Sequence, residues 1–384
     1  MNKHAYLLGG VDSHCAWLAE GLRGRGHEVM WMSTQAESTA AEQGAFVPRR
    51  RGAARALQAL WNRPAAGAMR AAIERFQPDI VHAHMLYPLL SVAPLVVARR
   101  HRVPVVHTLH TYELLSAYYA SESGGWIDRE GGRLADRALN TATFPIRRLV
   151  HPRLVNEYIA VSGFVAEAHA RRGIPAEVVH NAVPANGRIV PGFGERLGIV
   201  FVGRLVPEKG VLEMVELARR LPEIPVTLVG GGPLWRAVNQ EAKRLPNLSC
   251  TGWLEPPDVE AQLRAARVLA MPSRCAETSG LAALEALACG TPVVAMPSGG
   301  LAELVRESGA GRLVNDTGSD LVSACRELHG DRATWEELSR RGLEAVAGPF
   351  SIATWLDRVE AVYARALNGG AARGAKTARS ADGR

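Results

Sequence analysis

Residues 271–297 read MPSRCAETSGLAALEALACGTPVVAMP, and this stretch decides the expected fold. An apolar run ending at Ser273 leads into a polar loop, after which helix-forming residues extend from Ser279 to Ala288. A Gly-Thr-Pro sequence ends this helix, and the apolar run from Pro292 to Met296 follows. The order strand, loop, helix, strand is typical of an α/β domain with a parallel sheet.

Two carboxylates flank the start of this predicted helix. Glu277 precedes it, and Glu285 lies eight residues later inside an otherwise apolar helix. Backbone N–H groups at a helix start have no intrahelical partner, and the helix dipole favours an anion there. Measured along the helix axis from the helix start at Ser279 and Gly280, Glu285 would lie about 8 Å farther on, at 1.5 Å per residue. Because a carboxylate accepts hydrogen bonds from adjacent sugar hydroxyls, the spacing predicts a ligand with a diphosphate between two sugars.

The composition is that of a globular protein. The chain has 384 residues, of which 47% are hydrophobic, and this length is compatible with two or three domains. Its five cysteines are far apart in sequence, so we expect neither a disulfide framework nor a zinc site, and we expect a reducing, cytoplasmic compartment. We expect no signal peptide, and no apolar run reaches the roughly 18 residues that span a bilayer.

The net charge of +7 does not by itself predict a nucleic-acid partner. Part of the excess lies after residue 368, where four basic residues accompany one acidic residue: Arg373, Lys376, Arg379, Arg384 and Asp382. A segment rich in Gly, Ala and Ser has the composition of a disordered tail. We therefore expect residues 368–384 to lie outside the fold, and we expect no nucleic acid among the partners.

Histidines accompany two predicted strands in the first half of the chain. The strings PDIVHAH (78–84) and VVHTLH (105–110) are apolar runs joined by a helical pattern, which predicts a βαβ unit. Ligands bind at the carboxyl ends of strands in open parallel sheets. We expect one of His82 and His84 to contact ligand and the other to pack. Because the histidines lack the spacing of a metal site, we expect no zinc.

The second half opens with a strand that two basic residues follow. Residues 198–203 form the predicted strand, Arg204 comes next, and Lys209 lies where the following helix begins. Negative charge grows on a β-phosphate as a sugar departs from it, and cations placed beforehand lower that barrier. Arg204 and Lys209 are therefore a candidate phosphate-binding pair.

The segment with Glu277 and Glu285, followed by GTPVV at 290–294, resembles glycosyltransferase family 4, whose hallmark is this E-x7-E loop and helix. GGVDSH at 9–14 and both histidine-bearing strings are also similar to family motifs, and the resemblance extends to Leu367. It implies the GT-B architecture, which is an α/β fold with two doubly wound, Rossmann-like domains facing an interdomain cleft. It also implies sugar transfer from a nucleotide-diphosphate sugar to an unidentified acceptor, with retention of configuration and without a metal or other cofactor.

Residue roles follow from the same resemblance. The implied catalytic residues are His110 beside the transferred sugar, Glu277 on its hydroxyls, and Arg204 and Lys209 on the phosphates. The other implied donor-binding residues are Glu285 on the ribose, together with Ser279, Gly280, Leu281, Gly230, Gly232 and Leu254. The loop near the diphosphate or the acceptor would contribute Gly9, Gly10, Asp12 and His14.

The predicted domain organisation has five parts. They are an acceptor-binding domain (1–184), a linker (185–196), a nucleotide-sugar-binding domain (197–350), a helix returning to the first domain (351–367) and the tail. The first domain is expected to begin with a strand at Ala5–Leu8, which is either very short or truncated at its start. We expect Thr111–Asn156 to form a long irregular segment that could cap the acceptor site.

Residues 49–63 (RRRGAARALQALWNR) combine arginines with an apolar helical face. Such a helix either packs on its own domain with a basic edge in solvent or lies on an anionic membrane surface, as similar helices do in lipid-acceptor relatives of the family. We favour packing. The second alternative would place the protein at the inner face of a membrane.

Two other functions remain open at this point. A nucleotide-sugar 2-epimerase uses a related scaffold, would need its own acid and base, and would interconvert sugars without an acceptor. The other alternative is a non-catalytic protein, either a nucleotide-sugar-binding protein or a scaffold. A scaffold would keep the fold but lose the phosphate and sugar contacts, whereas this sequence keeps Arg204, Lys209, Glu277 and Glu285 together.

Overall fold

The computed structural model describes residues 1, 10–34, 44–47, 58–87, 89–116, 134–184 and 190–381. These residues divide into two units. Unit 1 contains the described residues up to His180 together with those from Trp355 onward, and unit 2 contains the described residues from Asn181 to Thr354. The first part of unit 1 therefore ends at His180, whereas the sequence-based division places the end of the first domain at residue 184.

The strands of unit 1 are parallel. A two-stranded pair joins β1 (Trp31–Thr34) and β2 (Gly44–Val47), and four further strands of the described residues form a sheet in the order β3-β4-β5-β6. The strands of this sheet are β3 (Val81–Ala83), β4 (Val105–Leu109), β5 (Glu157–Ala160) and β6 (Glu177–Val178). Every residue of β4 is buried, as expected for a strand covered on both faces.

The start of the chain lies beside β3. The Met1 amino group donates to the His82 carbonyl at 2.5 Å, and the His84 N–H donates to the Met1 carbonyl at 2.9 Å. The predicted strand Ala5–Leu8 lies outside the described residues, as do Gly9 and most of the basic segment 49–63. Leu60 and Trp61, at the described end of that segment, are exposed.

The helices of unit 1 differ from prediction in one region. They are α1 (Gly10–Gly24), α2 (Arg63–Phe76), α3 (Ala93–Arg100), α4 (Leu134–Leu154) and α5 (Gly163–Ala170). The prediction of an irregular segment over Thr111–Asn156 was wrong for α4. This helix contains Pro145 and Pro152. Because proline usually interrupts a helix, the sequence pattern did not predict a helix there.

The structure describes every residue from 190 to 354. Within this range unit 2 contains six parallel strands. They are β7 (Ile199–Val202), β8 (Val226–Val229), β9 (Leu248–Gly252), β10 (Val268–Met271), β11 (Val293–Ala295) and β12 (Gly311–Leu313). Their order in the sheet is β12-β11-β10-β7-β8-β9. Short apolar runs such as VLAM in β10 are wholly buried, because helices cover both faces of a doubly wound sheet.

Helices connect the strands of unit 2. They are α6 (Val211–Arg220), α7 (Trp235–Ala242), α8 (Pro256–Ala265), α9 (Leu281–Ala288), α10 (Gly299–Ser308), α11 (Ser319–Gly330) and α12 (Arg332–Ala347). Arg196, the last residue of the predicted linker, is buried in this unit. Its guanidinium donates to the Cys289 carbonyl at 2.5 Å and to Thr291 Oγ1 at 2.6 Å. The linker's second half is therefore part of the packed unit.

The last helix, α13 (Ile352–Ala381), supplies Trp355, Leu356 and Tyr363 to unit 1. The Leu356 side chain reaches Gly21 of α1, where an added Cβ would lie 2.7 Å from Leu356 Cδ1. The helix runs past its predicted end at Leu367, so the tail expected to be disordered is helical as far as Ala381. Ala, Arg and Lys all favour helix, which offsets the glycines there. Among the described helices, including α13, each is too short or too polar to cross a bilayer.

Candidate active site

The sheet of unit 2 reverses its winding direction between β7 and β10. The strands β8 and β9 extend from one side of β7, and β11 and β12 extend from the far side of β10. In such sheets the loops after the two strands at the reversal separate and leave a crevice at the carboxyl edge. Arg204 and Lys209 lie on the loop after β7, and Glu277 lies on the loop after β10. The fold therefore brings the predicted charged residues to one edge.

These two loops are in close backbone contact. The N–H groups of Arg274 and Cys275 both donate to the Glu208 carbonyl, at 2.8 and 3.3 Å. Gly210 has φ 75°, and a Cβ at this position would lie 2.2 Å from the Pro272 carbonyl oxygen. A side chain at residue 210 would force the loops apart, so glycine is needed for their approach.

The contact between the loops carries an ion pair. Lys209 Nζ lies 2.5 Å from Glu277 Oε1, and Ser273 Oγ donates to the same oxygen at 2.6 Å. The Glu277 N–H donates to Ser298 Oγ at 3.2 Å, which fixes the backbone as well. Burial alone would lower the pKa of the Lys209 ammonium, but the Glu277 carboxylate outweighs this effect and the pKa is raised. Lys209 therefore carries its positive charge at neutral pH.

The exposed Arg204 lies within electrostatic reach of Lys209, because its positive charge acts to lower the Lys209 pKa. Its loop is held by the loop after β8. The Gly203 N–H donates to Val229 O at 3.0 Å, and the Leu205 N–H donates to Gly231 O at 2.9 Å. These contacts fix the backbone on both sides of Arg204.

Gly230 and Gly232, predicted to bind donor, have a packing role in this contact. Gly230 has φ 135°, and a Cβ there would lie 1.9 Å from the Gly203 carbonyl oxygen. Gly232 has φ 154°, and its added Cβ would lie 2.7 Å from the Leu205 carbonyl oxygen. Both positions need glycine for the loop after β8 to approach the loop that carries Arg204.

The helix α9 begins two residues later than Ser279, its predicted start. Gly280 is the N-cap with φ 67°, and Leu281 is the first helical residue. An added Cβ at Gly280 would lie 2.8 Å from Leu301 Cδ1 and 3.3 Å from Leu301 Cα, and the positive φ would strain any larger residue there. Ser279 Oγ accepts a hydrogen bond from Asn181 Nδ2 at 2.9 Å. The contacts of Ser279 with Asn181 and of Gly280 with Leu301 therefore fix the loop that leads into the first turn of α9.

Glu285 lies in the second turn of α9 and is half-buried. Burial raises the pKa of its carboxyl to about 7, so the neutral and ionised forms are both populated near pH 7. The neutral carboxyl can donate as well as accept hydrogen bonds. Leu254, which follows β9, is also partly buried.

The carboxyl edge of the sheet in unit 1 carries a cluster of buried histidines. His84 follows β3, His110 follows β4, and His14 comes from α1. A ring nitrogen of His84 lies 3.1 Å from one of His110. Asp12 is buried in the first turn of α1, and Gly10 is exposed at its start. The structure therefore brings His14, which the sequence assigned to a different loop, next to His110.

His82 is engaged on both ring nitrogens. One lies 2.7 Å from the Tyr363 hydroxyl and the other 2.7 Å from Thr108 Oγ1. Of the pair His82 and His84, His82 is thus the packed residue. Burial lowers the pKa of His82, His84 and His110 well below the ordinary histidine value, so all three rings are neutral at physiological pH.

Sequence reasoning missed three residues that support the site. Ser273 and Ser298 fix Glu277, and Asn181 holds Ser279. Ser273 was part of the decisive stretch, four residues before Glu277, but a loop has no fixed period from which a contact at that spacing can be inferred. Asn181 and Ser298 are remote in sequence from their partners and carry no local signal.

Two family models match this chain. The model described as Glycosyltransferase Family 4 matches residues 8–186, and the one described as Glycosyl transferases group 1 matches residues 196–331. The chain is 33% identical to D-inositol 3-phosphate glycosyltransferase 1 of Catenulispora acidiphila over 334 residues, with 77% of this chain and 74% of that protein covered. It is 27% identical to the sulfoquinovosyl transferase SQD2 of Arabidopsis thaliana, covering 71% of this chain but only about half of the relative, 54%.

Among solved structures, HepE of Anabaena in complex with UDP and glucose has a TM-score of 0.70. It is 18% identical in sequence, and the match covers 94% of this chain and 98% of that chain. Similarity at this level of identity concerns the fold. Together with the two parallel-sheet, Rossmann-like units, it confirms the predicted GT-B class.

Proposed function

Since this chain is a glycosyltransferase and belongs to glycosyltransferase family 4, we propose that it moves a sugar from a nucleotide-diphosphate sugar to an acceptor hydroxyl or other nucleophile, with retention of configuration. The observation that carries the proposal is the ion pair of Lys209 and Glu277 at the reversal point of the unit 2 sheet, 2.5 Å apart. The UDP and glucose bound by HepE support a nucleotide sugar as the donor.

The donor diphosphate would bind at the N-terminus of α9. There the unpaired N–H groups and the helix dipole favour negative charge. Lys209 and Arg204 would face the phosphates from the neighbouring loop. As the bond between the sugar and the β-phosphate breaks, these fixed cations would stabilise the charge that develops on the leaving group.

Glu277 would serve two purposes. Among the described residues, the contacts of its carboxylate with Lys209 and Ser273 both involve Oε1. Oε2 would then accept hydrogen bonds from hydroxyls of the transferred sugar. The same carboxylate keeps Lys209 charged, so that sugar recognition and phosphate neutralisation depend on one pair. Glu285, one helix turn farther on, would contact the ribose.

In unit 1 we assign His110 to the transferred sugar and the residues Gly10, Asp12 and His14 to the acceptor or diphosphate side. Its low pKa makes His110 a neutral hydrogen-bonding group rather than a cation. No carboxylate of the described residues is assigned as a nucleophile. The proposed retention therefore refers to the anomeric configuration of the product and not to a covalent intermediate.

The test begins with a thermal-shift panel of UDP-, GDP- and ADP-sugars. We expect one nucleotide class to raise Tm, because a ligand that binds the native state alone stabilises it. The preferred donor is then incubated with candidate acceptors, which include a small natural product, a glycan and a lipid. NMR of the product should show the anomeric configuration of the donor sugar.

Four results would overturn the proposal. A product with inverted configuration would reject retention, and stabilisation by none of the donors would reject the donor class. Interconversion of the donor sugar in the absence of acceptor would instead favour the 2-epimerase. A binding protein without catalysis would give a Tm shift but no product with any acceptor or water.

A further inference from the structure

A series of buried hydrogen bonds lies behind the carboxyl edge of the unit 1 sheet. It begins at Tyr87 in the loop after β3, passes through His151 of α4 and His107 of β4, and ends at the backbone carbonyl of His84. The three side chains are only 2%, 0% and 1% exposed. Bulk water therefore does not replace a lost partner, and each bond depends on groups of the protein itself.

Short distances join the neighbouring members of this series. The Tyr87 hydroxyl lies 2.9 Å from His151 Nδ1, and His151 Nε2 lies 2.7 Å from His107 Nδ1. His107 Nε2 lies 2.5 Å from the His84 carbonyl oxygen. Both ring nitrogens of His107 and of His151 are thus engaged, one on each side of the ring.

The carbonyl at the end of the series fixes the direction of every hydrogen bond. A carbonyl oxygen only accepts, so a hydrogen lies on His107 Nε2. In the neutral ring Nδ1 then accepts, and the His151 Nε2–H donates to it. His151 Nδ1 in turn accepts from the Tyr87 hydroxyl. One backbone group thereby sets the tautomers of two rings.

Other side chains hold the members of the series in place. The guanidinium carbon of Arg147 lies 5.0 Å from the centre of the Tyr87 ring. His107 pairs with Tyr158 in the register of β4 and β5, and the two ring centroids are 5.9 Å apart. Glu113 Oε1, on the loop after β4, lies 3.5 Å from His107 Nε2. A carboxylate oxygen on this side also favours the hydrogen on Nε2 over Nδ1.

The series ends beside a residue that we assign to the transferred sugar. His107 binds the carbonyl of His84, and His84 Nδ1 lies 3.1 Å from His110 Nε2. His110 directly follows β4, the strand that carries His107. A shift of the backbone at His84 would therefore change the distance between the rings of His84 and His110.

We propose that His107 is a positioning residue for sugar transfer, which His151 and Tyr87 keep in the tautomer that donates to the His84 carbonyl. This hydrogen bond fixes the His84 backbone and with it the ring pair of His84 and His110. His107 acts through His84 and does not contact the substrate. The inference rests on the proposed function, in which His110 contacts the transferred sugar.

The first experiment determines the tautomers and needs no activity assay. The full chain is labelled with ¹⁵N-histidine, and two-bond ¹H–¹⁵N correlation spectra of the imidazole rings are recorded. His107→Phe and His151→Phe assign the two rings by the loss of their signals. We expect a hydrogen on Nε2 and none on Nδ1 in both rings. A hydrogen on Nδ1 of either ring would overturn the proposal.

The second experiment measures kcat and KM with the preferred donor and its acceptor. His107→Phe keeps a ring but donates no hydrogen bond, so we expect kcat to fall by on the order of 10-fold. The donor KM should change little, because the nucleotide contacts are assigned to unit 2. His107→Gln can donate from its amide to the same carbonyl and should restore most of kcat. Circular dichroism verifies that both variants fold.

Two tyrosines that pack against His151 provide a matched pair. Tyr87→Phe removes the donor to His151 Nδ1, so the resonance of that nitrogen should shift and kcat should fall by less than in His107→Phe. The hydroxyl of Tyr158 is buried without a partner among the described residues, and its ring centroid lies 6.3 Å from that of His151. Tyr158→Phe should leave the histidine signals and kcat unchanged.

The outcomes separate the positioning role from the proposed function. Wild-type kcat in folded His107→Phe would overturn the role, as would equal losses of kcat in His107→Phe and His107→Gln. An unchanged His151 Nδ1 resonance in Tyr87→Phe would also overturn it, and this variant serves when substitutions of His107 prevent folding. Absence of sugar transfer by a wild-type chain with the expected tautomers would reject the proposed function and the positioning role, but not the hydrogen bonds.

Discussion

The ion pair of unit 2 and the histidine cluster of unit 1 lie at equivalent edges of two parallel sheets but treat charge in opposite ways. Glu277 raises the pKa of Lys209 and keeps it charged despite burial. His84 and His110 are instead held neutral by burial. A buried ion persists only with a partner, whereas a group with an ordinary pKa near neutrality simply loses its proton.

This difference separates two kinds of chemistry. A charged pair suits the binding of a phosphate and the stabilisation of negative charge that grows during a reaction. Neutral imidazoles suit hydrogen bonding to sugar hydroxyls. The same fold element, the carboxyl end of a parallel strand, therefore supports either use, and the neighbouring side chains decide which one.

The largest expected effect follows from removing the cation of the pair. Lys209→Ala should lower kcat/KM by at least roughly 100-fold, about 3 kcal/mol, because one fixed charge on the leaving group is lost. Steady-state kinetics with the preferred donor measures the change. Lys243→Ala, at an exposed position, is the control. Near wild-type kcat/KM in a folded Lys209→Ala protein would contradict the role of Lys209 as a cation that stabilises the leaving group.

A backbone change tests whether the charged edge depends on tight loops. Gly230→Ala should reduce the free energy of unfolding by about 3 kcal/mol, since its Cβ would lie 1.9 Å from the Gly203 carbonyl oxygen at φ 135°. Gly231→Ala is a matched control, because its Cβ would meet no atom closer than 3.9 Å. Urea unfolding compares the two. Equal stability of these variants would argue against the close loop contact.

Glu285 sharpens the comparison because it is a carboxyl of unit 2 whose pKa shift is caused by burial alone. Its pKa rises from the ordinary 4.5 to about 7. Between these values the folded state holds a proton that the unfolded state has lost. The stabilisation is therefore fully present below pH 4.5 and is lost as pH rises through about 7.

Glu285→Gln cannot ionise and should remove this pH dependence. Relative to the wild type, its free energy of unfolding should rise by about 3 kcal/mol between pH values below and above this window. Urea unfolding at both ends of the window measures the difference. Glu255→Gln, at an exposed residue, serves as the control. A constant difference between Glu285→Gln and wild type across the window would exclude a buried, neutral Glu285.

The smallest expected effect concerns the histidine edge. Tyr363→Phe removes the hydroxyl that lies 2.7 Å from His82 Nδ1 and should destabilise the protein by about 1 kcal/mol, because a buried nitrogen loses its partner. The hydroxyl of Tyr158 is buried without a partner among the described residues. Tyr158→Phe should thus be neutral or stabilising. Thermal unfolding that ranks the two variants in the reverse order would contradict the role of Tyr363.

Local patterns made much of the fold and part of the site predictable. The stretch from 271 to 297 gave the strand, loop, helix and strand that became β10, α9 and β11, because apolar periodicity and Gly-Pro signals act over a few residues. Family motifs named Lys209 and Glu277, and these two residues meet in the structure. The helix α4 was missed because its two prolines contradict a helical pattern.

The sequence by itself determined the alternation of strands and helices and the residue types suited to a diphosphate. Only the tertiary structure decided that Ser273 and Ser298 fix Glu277, that Gly230 is needed by the loop of Arg204, and that His14 joins the histidines of two strands. The physical reason is the distance along the chain over which each effect acts. Helix and strand propensities act between neighbours in the chain, whereas burial, pKa and tertiary hydrogen bonds depend on groups that only folding brings together.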